Sequence, residues 1–171
     1  MKNKRDTFTE IFNHTKRKIF NFVLKMTSDR MLAEDITQNT FLKFFESLEY
    51  INDLQSAEFW LFKTARNEVY QVYRTKKIHV DQYGVDDIDE LNLDSGESLH
   101  DSLEKKDLRQ IINIQLDSMP AEQKEVYLLK EYGGFSYNEI SSILGIDEEL
   151  VKSRLHKARQ KLIKRISKLI N

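Results

Sequence analysis

The side chains best suited to chemistry crowd the C-terminal end, where Lys152, Arg154, Lys157, Arg159, Lys161, Lys164, Arg165 and Lys168 follow one another with no acid after Glu149. Cations at that density, with Ser153 and His156 among them, suit phosphate and base recognition. Candidates for bond making are poor. Glu34 and Asp35 are neighbours, and on a helix neighbouring side chains point about 100° apart, so the two carboxylates cannot easily share one reacting group. His14, His79, His100 and His156 are scattered without metal-ligand spacing. There is no cysteine, no glycine-rich phosphate loop and no nucleophile motif. The expectation is a binding protein and not an enzyme, with no cofactor, no metal and no small-molecule substrate.

The elements that must position the cations can be read from their flanks. Ser136 followed by Glu139 is a capping box: the hydroxyl accepts the Glu139 amide, and the carboxylate reaches back to the Ser136 amide. A helix therefore starts at Tyr137, with Ile140, Ile143 and Leu144 on one face, and Gly145 ends it at low steric cost. After a turn at Gly145 and Ile146, Asp147 caps a second helix, with Glu148 and Glu149 in its first turn where the helix dipole favours negative charge. Val151, Leu155, Ala158 and Leu162 recur at helical spacing as its inner seam. A basic run alone describes a solvated face equally well. The glycine at the turn and the apolar seam on both helices favour a helix-turn-helix presenting a basic helix to DNA.

The formal net charge of −1 conceals a pattern. Residues 1–77 hold 14 basic and 10 acidic side chains, residues 78–104 hold 0 and 9, and residues 105–171 hold 13 and 9. Two blocks of +4 thus flank one of −9. The middle block has only scattered aliphatics and reads as an acidic flexible linker, a solvated tether or a strip that shields the basic domains. The expectation is an all-α chain of two small helical domains, 1–77 and 105–171, joined by that linker. Basic Met1 to Arg5 runs into Asp6, Glu10 and His14, so no secretion signal is expected, and no apolar run is long enough for a membrane span. A cytoplasmic protein without membrane insertion is expected.

In the first block Ile11, Phe12, Thr15, Ile19, Val23 and Met26 keep helical spacing from about Phe8 to Met26. A polar break at Thr27 to Arg30 precedes a second helix, from about Met31 to Leu48. Ile36, Thr40, Phe44 and Leu48 face its core, while Phe41, Leu42 and Phe45 widen the apolar surface for burial among three helices or for a partner. A third helix is expected from about Ala57 to Arg74, with Trp60, Leu61, Thr64, Ala65, Val69 and Val72 inward. Its later part mixes Arg66, Asn67, Tyr70, Gln71, Tyr73 and Arg74, a composition that suits single-stranded nucleic acid and equally describes a core with a polar rim. In the second block a helical pattern resumes near Leu103 and runs through Leu108, Ile111, Ile112, Ile114 and Leu116. Pro120 fits the first turn of the next helix, which ends at Gly133-Gly134.

Four stretches carry a resemblance. Ala33 to Leu42, AEDITQNTFL, resembles the AEDxxQxxFL core-binding segment of the bacterial sigma-70 superfamily, and Phe59 to Asn67, FWLFKTARN, resembles the WLxxxARN stretch that follows it. Leu116 to Pro120, with Phe135 to Ile140, Leu144 to Ile146 and Val151 to Arg159, is similar to the family's DNA-binding domain. Two domains and a linker in this order resemble an extracytoplasmic-function sigma factor.

The resemblance implies that Asp35, Gln38, Phe41, Leu42 and Phe45 dock on core RNA polymerase. It implies that the Leu48 to Glu58 loop, with Trp60, Arg66, Asn67, Tyr70 and Arg74, holds the unpaired promoter −10 strand, Asn67 matching a base-contacting position. Ser136, Lys152, Ser153, Arg154, His156, Lys157 and Arg159 would meet the −35 duplex, the linker would thread the polymerase channel, and an anti-sigma factor is a further partner to look for. The sequence departs from the family pattern at Asn39, where glutamate is usual, and at Glu148, Glu149 and Leu150, where small or hydroxyl-bearing residues are commoner. A helix-turn-helix regulator with an N-terminal sensing or dimerisation domain is the alternative, but it gives no reason for the AEDxxQxxFL and WLxxxARN stretches together.

Overall fold

A polar segment between two amphipathic stretches makes the first corner of the chain. In the computed structural model, which describes residues 2–51, 53–83 and 103–170, helix α1 (Lys4–Thr27) is opened by Asn3, whose side chain accepts the Asp6 amide. It is closed by Ser28 at φ 54, in the left-handed region. Asp29 then caps α2 (Arg30–Ser47) by accepting the Leu32 amide at 3.0 Å. A short 3-10 turn (Leu48–Tyr50) follows, and Asp53 opens α3 (Leu54–Tyr83) by accepting the Ser56 amide at 2.7 Å. That hydrogen bond holds the Asp53 carboxyl below the usual carboxylate range.

Helices α1, α2 and α3 pack pairwise around one core of Ile19, Phe22, Val23, Met26, Ala33, Ile36, Phe44, Leu61, Phe62, Ala65 and Val69. The two buried threonines stay satisfied inside their own helices, Thr15 donating to the Ile11 carbonyl and Thr40 to that of Ile36. Phe22 and Phe62 meet edge to face at 5.3 Å in the middle of the unit.

The chain divides between Leu93 and Asp94, and in the second unit α4 (Leu103–Asp117), α5 (Ala121–Glu131) and α6 (Tyr137–Leu144) gather round α7 (Glu148–Ile170). Its core holds Leu116, Met119, Val126, Leu128, Leu129, Phe135, Ile140, Ile143, Val151, Leu155, Ala158 and Leu162. Pro120 stands at the N-cap of α5, one position before the expected first turn. Gly133 is required where it stands, because a Cβ there would lie 2.6 Å from the Leu129 carbonyl oxygen.

Among the described residues all regular structure is helical, as the all-α expectation requires. The helices run longer than expected: α3 continues past residue 77 to Tyr83, because nothing between Ile78 and Tyr83 breaks a helix before Gly84. The expected linker 78–104 therefore begins in helix and ends in α4, and its middle, 84–102, lies outside the described residues. The expected loop Leu48 to Glu58 is largely regular as well, a 3-10 turn and then the first turn of α3. Among the described residues no helix is long and apolar enough to cross a membrane.

Candidate nucleic-acid and partner interfaces

The turn between α6 and α7 is built as its residues dictate. The Ser136 hydroxyl accepts the Glu139 amide at 3.1 Å, and Gly145 at φ 67 ends α6. The capping box differs in one detail: the Glu139 carboxylate accepts from the Ser136 hydroxyl at 3.2 Å instead of from its amide. The Ser141 hydroxyl donates to the Ile146 carbonyl and closes the turn. Asp147 accepts the Leu150 amide at 2.8 Å and starts α7.

Helix α7 buries Val151, Leu155, Ala158 and Leu162 and turns Glu149, Lys152, Ser153, His156, Lys157 and Gln160 outward. Of the seven residues expected on duplex DNA, the structure thus brings Lys152, Ser153, His156 and Lys157 together on one open face. Arg154 and Arg159 lie elsewhere. Arg154 is half-buried, its Nη2 3.7 Å from Glu122, and Arg159 Nη2 donates to Glu131 Oε1 at 2.6 Å. Both guanidiniums are therefore turned onto α5, because α7 packs along that helix and its acids lie within reach. The hydrogen bond to Glu131 raises the Arg159 pKa further, with a smaller contribution from Tyr137. Ser136 is exposed, but its hydroxyl is engaged in capping α6. Tyr137 gathers cations: Lys130 Nζ lies 4.7 Å and Lys152 Nζ 5.7 Å from its ring centroid.

In the first unit α2 carries two faces. Ala33, Ile36, Thr40 and Phe44 are buried, while Met31, Asp35, Gln38, Leu42 and Phe45 are exposed at steps of four, three, four and three residues, which is one continuous helical stripe. Leu42 is 64% and Met31 76% exposed. Phe41 does not belong to this stripe. At 4% exposure it meets Phe12 edge to face at 4.8 Å and lies 6.4 Å from Phe8, because its position on α2 faces α1. The expectation that Phe41 offers surface to a partner is corrected accordingly. Phe8, which the periodicity does not single out, is the centre of this cluster, within 5.2 Å of Phe45 and 6.1 Å of Phe44.

The residues expected on the −10 strand are spread along α3. Trp60 is half-buried against Phe44 at 5.6 Å. Arg66 stacks 4.0 Å from the Tyr70 ring centroid, and its Nη1 donates to the Asn67 side-chain oxygen Oδ1 at 3.4 Å, so these three form one group with Asn67 exposed. Arg74 is exposed a turn beyond Tyr70. Tyr73 belongs to the scaffold: its hydroxyl donates to the Met26 carbonyl and ties α3 to the end of α1. Tyr50, at the end of the 3-10 turn, is 85% exposed, and Leu54, the first residue of α3, is exposed as well.

Fold and site together define an all-α protein of two helical units, the second a helix-turn-helix whose second helix is basic on its open face. Comparison with known proteins takes this further. Sigma-70 region 2 matches residues 11–78, and sigma-70 region 4 matches residues 109–162. The chain is 31% identical over 159 residues to the ECF RNA polymerase sigma factor SigM of Bacillus subtilis, covering 91% of this chain and 93% of that one. It is 32% identical over 146 residues to the ECF RNA polymerase sigma factor SigL of Mycobacterium tuberculosis, covering 82% and 77%. The sigma factor RpoE of Bartonella quintana, solved with the anti-sigma factor NepR, superposes with a TM-score of 0.76 at 25% identity, covering 94% of this chain and 97% of that one. CnrH, solved with the cytosolic domain of CnrY, shares the fold with a TM-score of 0.66 at 19% identity, covering 96% and 90%. The chain belongs to the ECF sigma factors of the sigma-70 family.

Proposed function

We propose that this protein binds core RNA polymerase in the cytoplasm, directs it to a particular set of promoters and helps open them, catalysing no reaction of its own. In this reading residues 1–77 grip the polymerase and the −10 strand, 78–104 link the units and follow the polymerase channel, and 105–171 bind the −35 duplex. The observation that carries it is α2, which fills its own unit's core with one face and still holds a second stripe of Met31, Asp35, Gln38, Leu42 and Phe45 in solvent. A helix that serves only its own domain has no need of that stripe.

The division of labour follows from the chemistry. Phosphates of the −35 duplex meet Lys152 and Lys157, with Ser153 and His156 on the same face. Unpaired −10 bases meet Asn67, the Arg66–Tyr70 stack and Arg74, with Trp60, Tyr50 and Leu54 beside the entry to α3. Extruding a base costs a few kcal/mol of stacking, and contacts to the trapped base offset it, so binding alone shifts the duplex toward the open form. The relative RpoE was solved with an anti-sigma factor, which supports looking for a comparable partner here. The test is reconstitution: the full-length chain added to core polymerase redirects transcription starts to a common promoter motif. Starts unchanged from core alone would overturn the reading.

A further inference from the structure

Resting on the reading of α7 as the helix that enters the major groove, we propose that its first turn reads sequence through Glu149 and Leu150. Glu149 accepts a hydrogen bond from the exocyclic amine of a cytosine, and Leu150 packs on the methyl group of a neighbouring thymine.

The two acids that begin α7 have different fates. Glu148 Oε1 accepts from Asn138 Nδ2 at 3.1 Å, so it fastens α7 to α6. Glu149 contributes no such fastening: its side chain is 87% exposed, and the cation beside it is Lys152 of its own helix, at 3.7 Å. Asp147 and Glu148 already provide the N-cap and a negative charge for the helix dipole. A third acid facing a polyanion is an electrostatic cost that the fold does not require.

Its position makes it more than a repulsive charge. Glu149, Lys152, His156 and Gln160 follow at steps of three, four and four residues, so Glu149 heads the strip opposite the buried Val151, Leu155, Ala158 and Leu162. The first residues of a recognition helix are the ones that reach base edges. In the major groove guanine offers two acceptors, thymine an acceptor and a methyl, adenine a donor beside an acceptor, and cytosine a donor alone. A carboxylate, which only accepts, is repelled by guanine and thymine, partly opposed by adenine N7, and matched by cytosine N4.

Leu150 stands one position on, 37% exposed. It lies in line with Ser153 and Lys157, at steps of three and four residues, along the flank of the same face. The thymine methyl is the apolar group that the major groove offers such a side chain.

Random-duplex selection by the full-length protein assembled with core polymerase tests this, using wild type, Glu149→Ala, Glu149→Gln, Leu150→Ala and Lys157→Ala. Wild type is expected to enrich a cytosine next to a thymine. Glu149→Ala should lose roughly tenfold in preference at the cytosine alone, the scale of one good base contact. Glu149→Gln should shift that position toward adenine, whose donor and acceptor a glutamine amide matches. Leu150→Ala should relax the thymine alone. Unchanged preferences in these variants, or a Glu149→Ala protein that binds every sequence equally more tightly, would overturn the proposal while Lys157→Ala still weakens duplex binding. A wild-type assembly that selects nothing upstream and is indifferent to Lys157→Ala would remove α7 from the groove, and both readings with it.

Discussion

Arg159 of α7 donates to Glu131 of α5 at 2.6 Å, so its guanidinium is engaged by the scaffold while its side chain stays half exposed. Arg154 Nη2 forms a longer ion pair with Glu122 Oε2 at 3.7 Å. A count of positive charge along α7 overstates what it can offer to phosphate. The two arginines pair with acids of α5, while Lys152 and Lys157 stay on the open face.

Arg159→Ala should therefore change duplex affinity less than Lys157→Ala does, and should lower stability by at most about 1 kcal/mol, since the pair is half exposed. Glu131→Gln should match Arg159→Ala in stability, because either change breaks the same ion pair. Thermal melts and fluorescence anisotropy check this. An Arg159→Ala protein whose affinity falls as far as that of Lys157→Ala would return the guanidinium to the DNA.

Replacing Lys152 or Lys157 by alanine should lower affinity for duplexes of every sequence. Each change should flatten the dependence of log K on log salt by about one unit for every phosphate that the missing ammonium no longer neutralises. Arg154→Ala should leave that slope nearly unchanged. Titrations across a range of salt concentrations separate the two behaviours.

Phe41→Ala and Leu42→Ala are adjacent substitutions with opposite expected outcomes. Phe41 is packed against Phe12 and Phe8, so its loss should destabilise the first unit by about 3–5 kcal/mol. Leu42 is solvent-exposed, so its loss should spare the fold and weaken assembly with core polymerase. Chemical denaturation and co-elution with polymerase measure the two effects. A folded Leu42→Ala protein that assembles normally would remove the α2 stripe from the interface.

The contrast between Phe41 and Leu42 also marks how far the chain can be read from its letters. Caps and turns are legible because they are local: Ser136, Gly145 and Asp147 each act within four residues, and each stands where expected. The seam of α7 is legible because a helix against one layer buries one face. On α2 the apolar residues surround the helix, and periodicity does not say which of them α1 covers. Phe22 and Phe62 are hidden from the pattern for the same reason, since each packs in a three-helix core that draws on more than one face. The side of Arg154 and Arg159 is not legible either, because it depends on Glu122 and Glu131, 32 and 28 residues away in the chain. Linker boundaries drawn from acid content miss the end of α3, which no helix-breaking residue interrupts before Gly84.

Asn67→Ala should impair promoter opening more than duplex binding. Asn67 is exposed beside the Arg66–Tyr70 stack in the first unit, and the cationic strip of α7 lies in the other. Permanganate reactivity of unpaired thymines, compared with affinity for the intact promoter, separates the two steps. Normal opening by the variant would exclude Asn67 from the −10 strand.

Tyr73→Phe should cost the first unit about 1 kcal/mol, the net worth of an ordinary hydrogen bond, because the phenol donates to the Met26 carbonyl. Burial raises the Tyr73 pKa above its ordinary value of 10.0. A phenolate could not donate, and its charge would face a carbonyl oxygen. The unfolded chain therefore releases this proton at lower pH than the folded one. The stability that Tyr73 adds should be fully present below pH 10 and decline as pH rises through the folded pKa. Trp60, the chain's single tryptophan, packs on Phe44 and reports unfolding of this unit by itself. Urea melts followed by its fluorescence should show wild type more stable than Tyr73→Phe at about pH 8, with the gap narrowing above about pH 10. A gap that stays constant across that range would mean the hydroxyl does not bind α3 to the end of α1.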